Sequence, residues 1–274
     1  MKQFILDKEP GKDGIVRLDG RDYNYLVKVR RLAAGEYFTA LLPGGEETQV
    51  QILSIDSGTL TGKCETKKLL HDADSRHGTN HLILFQALPK GDKMDLIVRQ
   101  AAECGIAEIV PFVSEFSIAK TNAAGQKFSR WEKIIKEARQ QSGSKIATSL
   151  HTPLSIDELF DYWKKLQEKS VIGILFHHQE IKNSLVKGLE QKSLHGYLNS
   201  DPEIVVFAVG PEGGFSEREA AVFLENGFKP ITIGDTILRT ETAALYCAAA
   251  IRILLLEKDS WELKQLKQQK QPKQ

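Results

Sequence analysis

Apolar and polar positions along this chain follow two different patterns, which change near residue 80. The first part contains short strand-like runs separated by turn signals such as Pro43-Gly44-Gly45. These runs cover residues 3–6, 15–18, 37–42, 48–55 and 59–65. One segment with helical spacing, residues 22–32, lies between the second and third runs. The pattern predicts a small β-barrel with one helix, as an N-terminal domain of residues 1–72.

Beyond a polar linker at residues 71–80, predicted strands alternate with predicted helices. A strand, a helix and a second strand cover residues 81–88, 93–104 and 108–112. This β-α-β unit predicts an α/β fold, a parallel sheet flanked by helices. Further helices and strands are predicted over residues 129–141, 156–169, 171–176, 204–209 and 230–233. The second domain covers residues 79–262, and the Lys- and Gln-rich residues 263–274 are predicted to be disordered.

A glycine-rich loop, residues 210–214, joins an apolar strand to a helix whose entry carries a capping box formed by Ser216 and Glu219. Open α/β sheets bind ligands at such loops, beyond the carboxyl ends of the strands. The loop matches neither the dinucleotide motif G-x-G-x-x-G nor the P-loop motif. The charge of Glu212 disfavours a phosphate, and Pro211 removes one backbone N–H group. A phosphate-free ligand such as S-adenosylmethionine fits the loop better, the alternative being a loop that only turns the chain.

A second strand-loop-helix segment carries the residues R-T-E-T-A at positions 239–243. Thr240 is predicted to be the N-cap of a long helix, with Glu241 in the first turn, where the helix dipole favours a carboxylate. Arg239 then lies on the loop before the helix, where it can reach into a cleft. The helix continues with small residues on nearly every face, which predicts close packing either in the core or at a subunit interface.

Composition and charge indicate the class of protein to which this chain belongs, but they do not indicate its activity. The 274 residues suit two domains or one large one, with 41% hydrophobic and 27% charged residues, as in ordinary globular proteins. A net charge of +1 gives no general attraction to nucleic acid, so a basic surface must be local. The three cysteines are far apart and lack metal-binding spacing. We expect a cytoplasmic protein without a membrane partner, since there is no signal-peptide core and no apolar run of about 18 residues.

Several motifs together are more specific than any one of them. They are G-P-E-G-G-F-S at 210–216, I-G-D-T-I-L-R-T-E-T-A at 233–243, K-G-D-K-M-D at 90–95, A-A-E-C-G-I at 101–106, R-W at 130–131 and E-A-x-x-Q-S at 137–142. Over nearly the whole chain this set resembles the RsmE family of 16S rRNA uracil-N3 methyltransferases, which belongs to the SPOUT superfamily.

The resemblance implies a fold and an activity that periodicity alone does not show. The fold is a SPOUT-type α/β knot, whose parallel sheet ends in a C-terminal trefoil knot, preceded by a PUA-like RNA-binding barrel. The activity is S-adenosyl-L-methionine-dependent methylation of N3 of a uridine in the decoding region of 16S rRNA. True knots are essentially absent from proteins in general, so the expected knot rests on the resemblance alone. The alanine-rich last helix favours a homodimer, formed through the knotted domain.

On the same resemblance, Arg239 would hold a uracil carbonyl while negative charge develops, and Glu115 would orient the base or take the N3 proton. The cofactor would lie against three loops and the start of the last helix. The residues are Phe176, His177, Gly210, Pro211, Glu212, Gly213, Gly214, Ile233, Gly234, Leu238, Arg239, Thr240, Thr242 and Ala243. His177 and His178 lack partners at a metal-binding spacing, so no metal is expected.

Candidate RNA contacts lie in both domains. Basic side chains contact phosphates, and an aromatic ring can stack on a base. The candidates are Tyr25, Lys28, Arg30, Arg31, Lys90 and Lys93. On the residues alone, a solvated helix face explains the first four equally well, whereas the resemblance favours contact with RNA.

The chain departs from the family pattern outside the two cofactor loops. Phe116 and Ser144 stand where the family has arginine, Gln100 where it has lysine, and Tyr25 where it has histidine. These segments are those expected to meet RNA, which leaves two alternatives open. One is a SPOUT methyltransferase acting on another rRNA or tRNA site, and the other is a non-catalytic RNA-binding assembly factor.

Overall fold

The computed structural model describes residues 3–65, 81–118, 121–177 and 192–269. The chain divides into two compact units. The first unit consists of Met1–Ser75 and Arg139–Ala147, and the second of Arg76–Ala138 and Thr148–Gln274. Residues 139–147 therefore belong to the first unit although they lie within the predicted second domain. The predicted linker at residues 71–80 lies outside the described residues, and the predicted domain bounds stay predictions.

Five strands form the sheet of the first unit, in the order β1-β3-β4-β5-β2. They are β1 (Phe4–Ile5), β2 (Ile15–Asp19), β3 (Tyr37–Leu41), β4 (Glu47–Asp56) and β5 (Thr59–Glu65). Neighbouring strands are antiparallel except β1 and β3, which are parallel. Alternate residues of β4, such as Val50 and Ile52, are buried, so this strand has one face toward the core. The five predicted strands are confirmed, and a closed PUA-like barrel stays a prediction.

The helical segment of the first unit differs from the prediction at both ends. A short helix, α1 (Gly20–Tyr23), continues directly into a π-helical segment, Asn24–Val29. The π-helical segment carries Leu26, which is fully buried in the core of this unit. The predicted continuation to residue 32 is wrong because Arg31 has a φ of 57°, a left-handed conformation that cannot extend a right-handed helix.

The second unit is built on a parallel sheet with the strand order β11-β9-β10-β6-β7-β8. Its strands are β6 (His81–Ala87), β7 (Glu108–Phe112), β8 (Ser149–Leu150), β9 (Val171–His177), β10 (Ile204–Val209) and β11 (Lys229–Thr232). All pairs are parallel, which confirms the predicted β-α-β unit. Every residue of β10 is buried, as expected for a central strand covered on both faces.

Helices cover both faces of this sheet. They are α2 (Lys93–Glu103), α3 (Thr121–Ser142), α4 (Ile156–Leu166), α5 (Leu194–Leu198), α6 (Glu217–Glu225) and α7 (Thr240–Gln269). Leu82 and Leu84 of β6 pack with residues of α2 and α7, whereas Phe85 packs with residues of α4 and α6. Because successive side chains of β6 point to opposite faces of the sheet, the core of this unit forms two clusters, one on each face. The predictions missed β8 and α5, began α3 late, and treated residues 263–274 as disordered although α7 runs to Gln269.

At the amino edge of the sheet, Glu108 of β7 links three elements. Its carboxylate oxygens lie 2.7 Å from His81 Nε2 and 2.9 Å from His151 Nε2, and one accepts a hydrogen bond from the Tyr162 hydroxyl. The hydrogen bonds from His151 and His81 hold the pKa of Glu108 well below its usual range. Burial, together with the hydrogen bond to Glu108, raises the pKa of the Tyr162 hydroxyl. This cluster fixes β6 and α4 to β7.

Candidate active site

A pocket of about 160 Å³ lies at the carboxyl edge of the parallel sheet, where β9, β10 and β11 end. The segments that follow these strands, and the first turn of α7, supply its wall. The lining residues are Phe176, His177, Val209, Gly210, Pro211, Glu212, Gly213, Gly214, Phe215, Ile233, Thr236, Ile237, Leu238, Thr240 and Ala243. Open α/β sheets bind their ligands at this edge. The structure therefore brings the two loops singled out in the sequence to one pocket.

The loop at residues 210–214 is a tight turn between β10 and α6. The Gly214 N–H donates to the Pro211 carbonyl oxygen at 2.9 Å, and Gly214 has a left-handed φ of 70°. A Cβ atom on Gly210 would lie 3.0 Å from the Gly214 carbonyl carbon, so the turn leaves no room for a side chain there. The predicted capping box is confirmed, because Ser216 Oγ accepts from the Glu219 N–H while the Glu219 carboxylate accepts from the Ser216 N–H.

Glu212 is held by two groups from the start of the α2 segment. Its carboxylate lies 2.5 Å from Lys93 Nζ and accepts the Lys90 backbone N–H at 3.1 Å. Partial burial acts to raise the pKa of Glu212, but the hydrogen bonds from Lys93 and from backbone N–H groups outweigh it and lower the pKa. Because Lys93 partly neutralises this carboxylate, Glu212 repels a phosphate less than the sequence suggested. The missing N–H of Pro211 still disfavours a phosphate.

Thr240 attaches the start of α7 to the same loop. Its hydroxyl donates to the Gly210 carbonyl oxygen at 2.7 Å and accepts from Gln86 Nε2 at 3.1 Å. Gln86 is fully buried on β6, and Thr240 is only 4% exposed. The prediction of Thr240 as N-cap is wrong, because Thr240 is the first helical residue and the Arg239 carbonyl accepts the Ala243 N–H. The hydroxyl of Thr240 instead joins β6, α7 and the glycine-rich loop.

Not every predicted cofactor residue borders the pocket. Gly234, Arg239 and Thr242 are not among the lining residues, whereas the other predicted residues are. Thr236 and Ile237 also line the pocket and lie within the predicted loop at residues 233–238. Two lining residues, Val209 and Phe215, were not predicted; each directly adjoins the loop at residues 210–214. Cofactor contact by any of these residues stays a prediction.

The two candidate catalytic residues lie on exposed loops that meet the glycine-rich loop. Arg239 is exposed, forms no ion pair with the residues that the structure describes, and precedes Thr240, which bonds to Gly210. Glu115 is exposed, and its backbone N–H donates to Glu219 Oε1 at 2.8 Å. The residue after Glu115 packs on Gly213. Both candidates therefore belong to segments in contact with one loop of the pocket.

The model of the RNA methyltransferase domain family matches residues 76–252. This chain belongs to that family. Ribosomal RNA small subunit methyltransferase E 2 of Borreliella burgdorferi is 31% identical, with 93% of this chain and 98% of that protein covered. Ribosomal RNA small subunit methyltransferase E of Bacillus subtilis is 29% identical, with 85% and 88% covered. These relatives confirm the family predicted from the motifs, and the protein is a methyltransferase.

A solved structure has the same fold over nearly the whole chain. The ribosomal RNA small subunit methyltransferase E of Neisseria gonorrhoeae, bound to S-adenosyl methionine, has a TM-score of 0.72 and 25% identity. The likeness covers 93% of this chain and 98% of the other. The predicted α/β fold of this RNA methyltransferase is thereby confirmed.

The candidate RNA contacts of this methyltransferase have different surroundings. Tyr25 and Arg30 line a pocket of about 480 Å³ in the first unit, together with Thr39, Ala40 and Leu41 of β3. Lys93 is not free to meet a phosphate in this arrangement, because it is paired with Glu212. The exposed cations among the candidates are Lys28, Arg30, Arg31 and Lys90. Contact of these residues with RNA stays a prediction.

Within residues 3–65, 81–118, 121–177 and 192–269, no group of three or more His, Cys, Asp or Glu side chains is arranged to hold a metal ion. His177 lines the methyltransferase pocket, and His178 lies outside the described residues. Nor does any helix of the described ranges have the length and apolar character needed to span a bilayer.

Proposed function

We propose that this protein transfers a methyl group from S-adenosyl-L-methionine to N3 of a uridine in the decoding region of 16S rRNA. The pocket at the ends of β9, β10 and β11 carries the proposal, because its wall consists of loop backbone and mostly apolar side chains. Among the described residues that line it there is no Lys or Arg, side chains that often bind a pyrophosphate. The relatives named as small-subunit rRNA methyltransferases, one of them bound to S-adenosyl methionine, support the same activity.

The pocket residues fit this cofactor by their chemistry. Phe176, Ile233 and Leu238 offer apolar surface to an adenine ring, and the loop at residues 210–214 offers backbone donors and acceptors. Glu212 stays ionised, and its carboxylate, which Lys93 neutralises only in part, favours a cationic ligand over an anionic one. When bound, S-adenosylmethionine supplies an electrophilic methyl group on a positively charged sulfur. Gly234 and Thr242, beside the lining residues, would complete the site.

Arg239 would stabilise the negative charge that develops on the uracil ring, and Glu115 would act on the proton of N3. Uridine N3 carries a proton at neutral pH, and this proton must leave when the methyl group is added. Arg239 donates hydrogen bonds to a uracil carbonyl oxygen and stabilises the negative charge that develops on the ring. Its exposed guanidinium, unpaired among the described residues, supports this role. Glu115 accepts the N3 proton or orients the base, which its exposed carboxylate on an anchored backbone supports.

The first unit is proposed to bind flanking RNA. Its π-helical segment and the left-handed Arg31 place three exposed cations, Lys28, Arg30 and Arg31, within four residues of one another. Such cations position a phosphate backbone, and Tyr25 would stack on a base beside the pocket that it lines. Lys90 and Lys93 would contact RNA from the second unit, Lys93 only after exchanging Glu212 for a phosphate.

Two features of α7 support a knotted homodimer. Three apolar side chains of this helix are about half exposed and share a helical stripe, namely Tyr246 (54%), Ile253 (53%) and Leu256 (49%). A second copy would cover them. The helix follows the edge strand β11 and then packs on α2 and β10, elements from the other side of β9 in the sheet. A C-terminal trefoil knot requires such a return of the chain, in addition to the passage of the chain end through a loop.

Methyl transfer with tritiated S-adenosylmethionine, combined with mass spectrometry of rRNA from a deletion strain, tests the proposal. We expect the strain to lack one N3-methyluridine, and the purified protein to restore it on small subunits. An unchanged set of modified nucleotides would contradict the assigned target.

A second candidate, a methyltransferase for another rRNA or a tRNA site, is favoured by the departures at Phe116, Gln100 and Ser144. Label in tRNA or in another rRNA would identify it. Cofactor binding with no label in any RNA would instead indicate a non-catalytic assembly factor.

A further inference from the structure

Phe116 places an exposed aromatic ring beside the pocket. The residue is 47% exposed, on the loop that follows β7. A Cβ atom on Gly213 would lie 3.0 Å from Phe116 Cβ and 3.2 Å from its Cγ, so the side chain packs directly on the backbone at Gly213. Gly213 is itself part of the pocket wall. A single exposed apolar residue is ordinary on a protein surface, so its position rather than its exposure carries the argument.

The turn that carries Phe116 is fixed by a hydrogen bond within itself and by hydrogen bonds to two other segments. The Ser117 N–H donates to the Ser114 carbonyl at 2.9 Å and closes the turn. The Ser117 hydroxyl donates to the Leu88 carbonyl after β6 at 3.0 Å, and the Glu115 N–H donates to Glu219 of α6 at 2.8 Å. The ring therefore stands on a turn whose backbone is already ordered. A preordered aromatic surface loses little conformational entropy when a ligand covers it.

We propose that Phe116 is a specificity-determining residue on which a base of the RNA substrate stacks as the target nucleotide reaches the pocket. The proposal rests on the proposed methyl transfer to RNA. A base that leaves its helical stack loses stacking energy, and an aromatic side chain replaces part of it. The family pattern has arginine at this position, which can contact a phosphate. Phenylalanine cannot, so this chain would select its substrate here by a base rather than by the backbone charge.

The test compares the wild type with Phe116→Ala, Phe116→Trp and the matched control Ile118→Ala. Ile118 is also an exposed apolar residue, 70% accessible, two positions further along the same loop. Methyl transfer to small ribosomal subunits gives kcat/KM for RNA, and calorimetry gives the affinity for S-adenosylmethionine. We expect Phe116→Ala to lower kcat/KM by about 5-fold to 140-fold, the range of one base–aromatic stack. Phe116→Trp should restore transfer, and Ile118→Ala should stay within about twofold of the wild type.

Two further readouts separate stacking from a merely structural role. Cofactor affinity of Phe116→Ala should equal that of the wild type, and the salt dependence of RNA binding should not change, since no phosphate contact is lost. A matching loss of cofactor affinity would overturn the proposal, because the ring would then only support Gly213. Unchanged kcat/KM, or a tryptophan variant as poor as the alanine variant, would overturn it too. Absence of transfer by the wild type would refute the proposed function itself, and the stacking proposal with it.

Discussion

Replacing Thr240 with valine tests how the cofactor loop is attached to the sheet. The Thr240 hydroxyl lies in a buried position, donates to the Gly210 carbonyl at 2.7 Å and accepts from Gln86 Nε2 at 3.1 Å. Valine has nearly the same shape but can form neither hydrogen bond. The substitution therefore removes the link among β6, α7 and the glycine-rich loop without leaving a cavity.

The expected magnitude follows from the groups that lose a partner. A buried polar group left without a hydrogen bond costs about 1–3 kcal/mol. The Gly210 carbonyl loses the Thr240 donor, whereas Gln86 Nε2 keeps its bond to the Ala87 carbonyl at 2.9 Å. We therefore expect the free energy of unfolding of the second unit to fall by about 2 kcal/mol. For a domain of this size the Tm would fall by about 4–8 °C.

Differential scanning calorimetry measures this Tm, and isothermal titration gives the affinity for S-adenosylmethionine, which we expect to weaken about threefold or more as the Gly210 backbone loosens. Thr232→Val is the matched control, because Thr232 is an exposed residue of β11. Its Tm should stay within about 1 °C of the wild type. A Thr240→Val protein with an unchanged Tm would refute the assigned role of the hydroxyl, as would an equal loss in the control.

Three further substitutions test other contacts. Arg239→Ala should keep its affinity for S-adenosylmethionine, because Arg239 does not line the pocket, but it should lower methyl transfer about 100-fold. Calorimetry measures the affinity and tritium transfer measures the rate. Undiminished transfer would contradict the prediction. Lys93→Glu should weaken cofactor binding about 2-fold to 5-fold, because it detaches Glu212. Adding Glu212→Lys to this variant should recover part of the lost affinity. A titration in which the double variant binds the cofactor no more tightly than Lys93→Glu would exclude a functional pair. The hydrogen bond from His151 lowers the pKa of Glu108. The ionised Glu108 therefore stabilises the folded state at neutral pH, and this stabilisation is lost as the pH falls below the usual glutamate range. Urea unfolding should therefore show that Glu108→Gln is less stable than the wild type by about 2 kcal/mol at pH 7. This difference in the free energy of unfolding should shrink below about pH 4. A difference that stays constant with pH would argue against the linkage.

Signals confined to one strand or one helical turn were readable from the sequence. β10 is an unbroken apolar run because helices cover both of its faces. Ser216 with Glu219 forms its capping box among residues of a single turn, and so does Ser155 with Glu158 at the start of α4. The loop between β10 and α6 was therefore located correctly, and its residue types already excluded the usual phosphate motifs.

The sequence pattern did not predict the shortest elements or the division of the chain into two units. β8 has two residues, too few for a periodic pattern, and is held by the bond from the Ser149 N–H to the Ala107 carbonyl at 2.8 Å. Residues 139–147 join the first unit because the Gln3 side chain donates to the carbonyls of Arg139 and Ser144, more than 130 residues away. Such bonds leave no local trace in either segment.

The sequence by itself determined the α/β class, the glycine-rich loop and the kind of ligand that this loop favours, since these depend on residue types within a few positions of one another. Only the tertiary structure decided which side chains support the loop. Lys93 pairs with Glu212, and Thr240 bonds to Gly210 instead of capping its own helix. Phe116 packs on Gly213. These partners meet because the strand order of the parallel sheet brings the ends of β6, β7 and β10 together, and periodicity along the chain carries no information about that order.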